Sequence, residues 1–203
     1  MTRNAHALVC RLALLCILPT GLTVASTAIA AEEYVFDRDH TEIRFSWDHL
    51  GFSTTSAYFR DMTGTLHFDE DDPGASEVDV TIDAHSVDTG RADFTEHLRS
   101  DDFFHVEEYP ELRFTSTGIR ADGDDRYRVD GELTIKGITH DVTLDVTINQ
   151  IADNPVSGAR TIGFDAETEV LRSDFDLDMY VPAVGDEVTI HISSEMPREA
   201  DLD

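Results

Sequence analysis

The sequence predicts an all-β fold, an antiparallel barrel of about eight strands interrupted by one short helix. Three observations predict it. Apolar residues recur with period two in several segments separated by turn residues, the pattern of half-buried strands. One stretch, after Gly90, switches to helical spacing. The cysteines, Cys10 and Cys16, both lie in the first thirty residues, so the rest of the chain has no disulfide and depends on a core.

The chain begins with a leader. Arg3 and Arg11 give a positive start, Leu12 to Leu18 an apolar stretch, and Ala28-Ile29-Ala30 a small-x-small site ahead of Ala31, the layout of a secretory signal peptide. Cleavage is expected after Ala30, which places the protein in the periplasm or outside the cell. Leu12 to Ala31 is uncharged and long enough to span a bilayer. Pro19, Gly21 and the cleavage pattern nevertheless favour removal, so no stable membrane insertion is expected. No twin-arginine pair is present, and the general secretory route follows.

Removing residues 1–30 leaves 173 of the 203 residues, suited to one domain over 31–196 with a polar tail at 197–203. In order, Ile43, Phe45 and Trp47 mark a strand, and Phe59, Leu66 and Phe68 another. Val78, Val80 and Ile82 alternate cleanly. After Gly90, Phe94, His97 and Leu98 stand at i, i+3 and i+4, and Phe103 and Phe104 follow, so a short helical insertion is expected around 91–105. Strands are then expected near 111–121, at Leu133 and Ile135, from Val142 through Leu144 and Val146 to Ile148, near 159–172, and at Val188, Ile190 and Ile192. Asp72-Pro73-Gly74, Asp122-Gly123-Asp124 and Lys136-Gly137 supply turns that favour antiparallel neighbours. A two-sheet sandwich is the structural alternative, and the long strands and inserted helix argue against it.

Several separated blocks, SVDTG, EHLRSDDFF, YPELRFTST, GELTIKGITHDVTLDV, RSDF and VGDEVTIHI, resemble the YceI family of secreted lipocalin-like proteins. The resemblance runs from about Tyr34 to about Ser194. It implies an extended eight-stranded antiparallel lipocalin-like barrel that holds a long apolar molecule, a polyisoprenoid or fatty-acid-like amphiphile, without chemistry. It also permits a homodimer. The chain departs from the family pattern at Phe94-Thr95, where Arg-Asp is common, and at Ala57 and Asp176, where glycine is common.

Charge narrows the partners. The leader removes two of the 15 basic residues and none of the 42 acidic ones, which leaves a net charge of −29. Such a surface repels phosphate backbones and anionic headgroups, so nucleic-acid binding is not expected. Self-repulsion in dilute salt is also expected to weaken the compact state. The melting midpoint should therefore rise between low and molar NaCl; an unchanged midpoint would show that the charge is already balanced locally.

No catalytic or metal site is expected. The chain has no Gly-x-Ser-x-Gly elbow, no His-Glu-x-x-His and no phosphate-cradling glycine loop. His97 and His105 flank Asp101 and Asp102, but scattered histidines on alternating strands are ordinarily outward polar positions. Asp174, Asp176 and Asp178 begin like a calcium loop, yet Met179 and Gly185 stand where its Gly and Glu belong. No cofactor is expected.

The apolar residues carry the functional expectation. Phe94, Leu98, Phe103 and Phe104 are candidates for the mouth of a pocket. Phe45, Trp47, Val80, Ile82, Phe114, Leu133, Ile135, Leu144 and Val146 are candidates for its wall, and Phe59, Phe164 and Phe175 complete the aromatic set. An eight-stranded barrel is either filled by its own side chains or leaves room for one ligand, and the residues leave both open. The first case makes the protein an acidic interaction module partnering a membrane or redox protein; the second makes it a carrier of an apolar small molecule. Arg99 and Arg172 are conspicuous in so acidic a chain, as contacts for a polar head or, more plainly, as members of ion pairs.

Overall fold

The computed structural model describes residues 31–202, so the expected leader and its cleavage site lie outside the described residues. Eleven strands follow one another: β1 (Glu32–Val35), β2 (Thr41–His49), β3 (Ser53–Phe59), β4 (Met62–Phe68), β5 (Glu77–Asp83), β6 (Val87–Asp88), β7 (Glu111–Ala121), β8 (Arg126–Ile135), β9 (Ile138–Asp153), β10 (Arg160–Leu171) and β11 (Val184–Pro197). One α-helix, α1 (Ala92–Arg99), interrupts them. All pairings are antiparallel, in the order β1-β4-β5-β7-β8-β9-β10-β11-β2-β3-β6. The sheet curls far enough for Tyr34 on its first strand to bridge Arg198, just beyond β11.

The expected eight strands become eleven for two reasons. β1 and β6 are four and two residues long, too short to show a period. The run expected from Phe59 to Phe68 is two strands, because the chain breaks at Arg60 and Asp61. There the Arg60 amide donates to the Ser86 carbonyl (3.3 Å) and the Asp83 amide donates to the Asp61 carbonyl (3.0 Å), so the chain leaves the β2–β3 side and joins β5.

Alternation on the long strands sends apolar residues inward, as period two requires. They form a main cluster that includes Phe45, Phe59, Phe104, Phe114, Leu133 and Phe175. A second cluster of Tyr34, Phe68, Ile162 and Met196 closes one end of the barrel, and Tyr127 packs against both. Burial, with a hydrogen bond to Glu32 (3.0 Å), pushes the Tyr34 hydroxyl up to about 12. At Gly131, on β8 opposite Ser116, a Cβ would come within 2.6 Å of the Phe114 ring and 2.7 Å of the Thr115 carbonyl, so glycine is what lets that ring lie flat against the strand.

Residues 198–201 of the expected tail are docked. The Arg198 guanidinium bonds Glu32 (2.6 Å) and both carboxylate oxygens of Asp201 (3.0 Å each).

Candidate functional site

The helical insertion is built locally. Gly90 turns the chain at φ 72°, Thr89 donates through its hydroxyl to the Arg91 carbonyl (3.0 Å), and its amide donates to the Thr95 hydroxyl (3.1 Å). Thr95 is therefore buried on the barrel side, one of the positions that departs from the family pattern. α1 ends at Ser100, after which the chain turns tightly: the amides of Phe104 and Val106 donate to the carbonyls of Leu98 (3.0 Å) and Arg99 (3.1 Å). The helix is thus shorter than the expected 91–105 insertion, and turns complete it. Phe104 lies edge-on to Phe45 and Phe59, Phe94 edge-on to Trp47, and Phe103 edge-on to His97. Aromatic contacts of this geometry contribute about 0.5–1.5 kcal/mol each beyond area burial.

Beneath this insertion the barrel is not filled. A cavity of about 330 Å³ remains, with almost wholly apolar walls. Of the residues named from the sequence, Phe45, Trp47, Phe59, Val80, Ile82, Phe94, Leu98, Phe103, Phe104, Phe114, Leu133, Ile135, Leu144 and Phe175 all line it. Val146 and Phe164 do not, and this corrects the sequence expectation. Both lie deeper along the barrel: Val146 pairs with Ala166 and with Tyr127, at the floor, and Phe164 packs against the second cluster beyond it. Phe68 belongs to that second cluster as well.

The structure adds wall residues that were not named as candidates. Val78, Val142, Ile190 and Ile192 were visible as alternating positions, and Thr168 and Val170 continue the same pattern on β10. Leu177, Met179 and Tyr180 come from the segment between β10 and β11, where no periodicity marks them. His49, His97, Thr168, Arg172 and Tyr180 are the polar members of the lining.

Arg172 is buried, yet it is neither a free head contact nor a member of an ion pair. Its guanidinium donates to the backbone carbonyls of Gly185 (2.8 Å), Val184 (3.1 Å) and Leu177, which fixes the segment that brings Leu177, Met179 and Tyr180 to the cavity. Burial pulls its pKa below the usual guanidinium value, and the charges of Asp186 and Asp178 only partly offset this. In the same segment Asp176 adopts left-handed backbone (φ 55°), the conformation that accounts for glycine being common there. Arg99, by contrast, is a member of an ion pair, with Glu96 (2.8 Å), and it also donates to the carbonyls of His85 (2.5 Å) and Val87 (3.3 Å), so it ties α1 to β6.

His97 and His105 do not converge with Asp101 and Asp102. His97 faces the cavity against Phe103, and His105 faces Glu108 (3.5 Å) and Tyr109. Elsewhere, Asp37, His40 and Glu195 bring one ligand atom each within 4.8 Å of one another. The Asp37 oxygens there already accept from the Asp39 amide (2.9 Å) and bond the His40 ring (2.7 Å). Burial pushes Asp37 up, but the hydrogen bonds from His40 and Asp39 win and hold it below the usual carboxylate value; the same bond to Asp37 raises His40.

A family model described as the YceI-like domain matches residues 34–196. Protein YceI of Escherichia coli is 40% identical over 183 residues, covering 86% of this chain and 94% of that protein. BcnA of Burkholderia cenocepacia superposes with a TM-score of 0.72 at 26% identity, over 79% of this chain and 98% of its own. A polyisoprenoid binding domain from Saccharophagus degradans shares the fold at 13% identity, with a TM-score of 0.61 over 83% of this chain and 99% of its own. The curled antiparallel sheet, the helical insertion over its mouth and a domain match from Tyr34 to Met196 lead to one assignment: the chain belongs to the YceI family.

Proposed function

We propose that this protein is a non-enzymatic binding protein, exported to the periplasm or beyond, that holds the chain of a long apolar molecule in its barrel. The observation that carries this reading is the unfilled apolar cavity beneath α1. At about 330 Å³ with almost wholly apolar walls, the cavity is of a size that receives a segment of an apolar chain. A longer polyisoprenoid, quinone-like or fatty-acyl chain would leave its remainder and head at the mouth, beside His49 and Tyr180. The polyisoprenoid binding domain from Saccharophagus degradans, which shares the fold, fits the same ligand class. Affinity comes from area, at about 25 cal/mol per Å² of apolar surface removed from water. A self-filled barrel acting only through its acidic surface is disfavoured by the same cavity.

Organic extraction of the purified mature protein followed by mass spectrometry tests the reading. A stoichiometric long-chain species is the expected result, and an empty protein that also ignores long-chain fluorescent probes would overturn it. Phe103 supplies the matching variant. It is only partly buried, so Phe103→Asp should keep the fold while lowering uptake of a fluorescent long-chain probe roughly tenfold, the loss of one apolar contact at the mouth. Unchanged uptake would remove Phe103 from the binding surface.

A further inference from the structure

Six large apolar side chains among the described residues are exposed: Leu50, Phe52, Val156, Leu171, Tyr180 and Leu202. Phe52 (89% exposed), Tyr180 (62%) and Leu50 (47%) sit on two adjoining turns at one end of the barrel. Val184 pairs with His49, the neighbour of Leu50, and its amide donates to the Tyr180 carbonyl (2.9 Å). His49 and Tyr180 also line the cavity, so this apolar tip is continuous with its mouth.

Backbone conformation makes the residue choice costly. Leu50 and Gly51 have φ of 60° and 72° across a turn closed by the Phe52 amide and the His49 carbonyl (3.1 Å), and Tyr180 has φ 66°. Hairpin turns of this kind favour Asn or Gly at the first position, and bulky side chains are disfavoured in left-handed backbone. Two large apolar residues held in such backbone, with their side chains in water, point to a surface that covers them in use.

Area and charge select the occupant. At about 150–250 Å² for a fully buried aromatic, the three side chains expose roughly 400 Å² together, half of the ~800 Å² per partner in a stable protein interface. A second copy would also bring its own acidic surface. Asp48 and Asp178 neighbour the two turns, and the mature chain carries −29, which disfavours anionic lipid. A lipid surface without net charge needs only a few inserted apolar and aromatic side chains.

We propose that Leu50, Phe52 and Tyr180 form a docking tip that inserts into the interfacial layer of a bilayer without net charge, and so set the cavity mouth against lipid. Its purpose rests on the apolar-chain reading above; its test does not. Flotation of the mature protein with phosphatidylcholine vesicles should carry protein to the lipid layer, and replacing part of that lipid with phosphatidylglycerol should reduce the bound fraction. Phe52→Ser and Leu50→Asn should each lower binding roughly tenfold, from the aromatic or aliphatic area lost. Val156→Ser, in the β9–β10 turn at the opposite end, should bind like wild type. Leu50→Asn suits the turn, so its melting midpoint should equal or exceed that of wild type, which separates lost docking from lost folding. Neither Leu50 nor Phe52 lines the cavity, so uptake of a soluble long-chain probe should stay unchanged in both variants. Wild-type protein that does not float, variants that float equally, or binding strengthened by phosphatidylglycerol would overturn the proposal. So would a wild-type dimer that Leu50→Asn dissolves, because a second copy would then be the occupant.

Discussion

Leu144→Asp is expected to lower affinity for a long-chain fluorescent probe at least about a hundredfold while leaving the fold intact. Leu144 lies on β9, opposite Val129 on β8, and its partly buried side chain faces the cavity. The asymmetry between empty and filled protein produces the effect. In the empty barrel the new carboxylate can be hydrated by cavity water. A hydrocarbon chain must strip that water without offering a hydrogen bond, which costs about 3 kcal/mol or more, and each 1.4 kcal/mol is tenfold in affinity. The sign with pH follows from the same cost. Apolar ligand favours the neutral carboxylic acid, so the variant's loss of affinity relative to wild type at the same pH should be smaller at pH 5 than at pH 8. Leu144→Met conserves volume and polarity and should bind like wild type. Isothermal or fluorescence titration reads all three, and wild-type affinity in the Asp variant at pH 8 would show that ligand does not occupy this wall.

Arg172→Met is expected to be the most destabilising of the substitutions considered, by about 3–5 kcal/mol, the combined cost of leaving several buried backbone acceptors without their donor. Three carbonyls, of Leu177, Val184 and Gly185, lose their donor together, and an unsatisfied buried acceptor costs ~1–3 kcal/mol where water cannot replace it. In a domain of this size each kcal/mol moves the midpoint by ~2–4 °C, so a fall of about 6–20 °C is expected in a thermal melt. Arg172→Lys should recover little of it, because one ammonium cannot reproduce a planar fork aimed at three separate carbonyls. A lysine variant as stable as wild type would show that only the positive charge matters. Because the same carbonyls anchor the segment carrying Leu177, Met179 and Tyr180, probe affinity in Arg172→Met should fall even below the midpoint, where the barrel remains folded.

Much of this architecture is legible in the chain itself. Val78, Val80 and Ile82, or Val188, Ile190 and Ile192, declare a strand and its inward face through period two alone, and Phe94, His97 and Leu98 declare a helix and the face it lays over the barrel. Short range is enough for these assignments because adjacent side chains on a pleated strand must point to opposite faces. Strand number was less legible. The break at Arg60 and Asp61 is made by carbonyls and amides from Asp83 and Ser86, more than twenty residues away.

The candidate site divides along the same line. Alternation placed Leu144 and Val146 on one face of β9 with equal force, and it placed Phe164 inward on β10. Period two specifies which side of a sheet a residue faces but carries no information on its depth along the barrel, so it cannot tell the wall at Leu144 from the floor at Val146 and Tyr127. The contribution of Leu177, Met179 and Tyr180 is equally invisible locally, since it depends on Arg172 reaching carbonyls five to thirteen residues further on. The sequence by itself therefore determined the all-β class, the inward faces and the helical insertion, all consequences of local periodicity. Tertiary structure alone decided that the barrel keeps an open cavity, and where that cavity ends, because empty volume is the difference between the space the curled sheet encloses and the side chains that enter it from many strands at once.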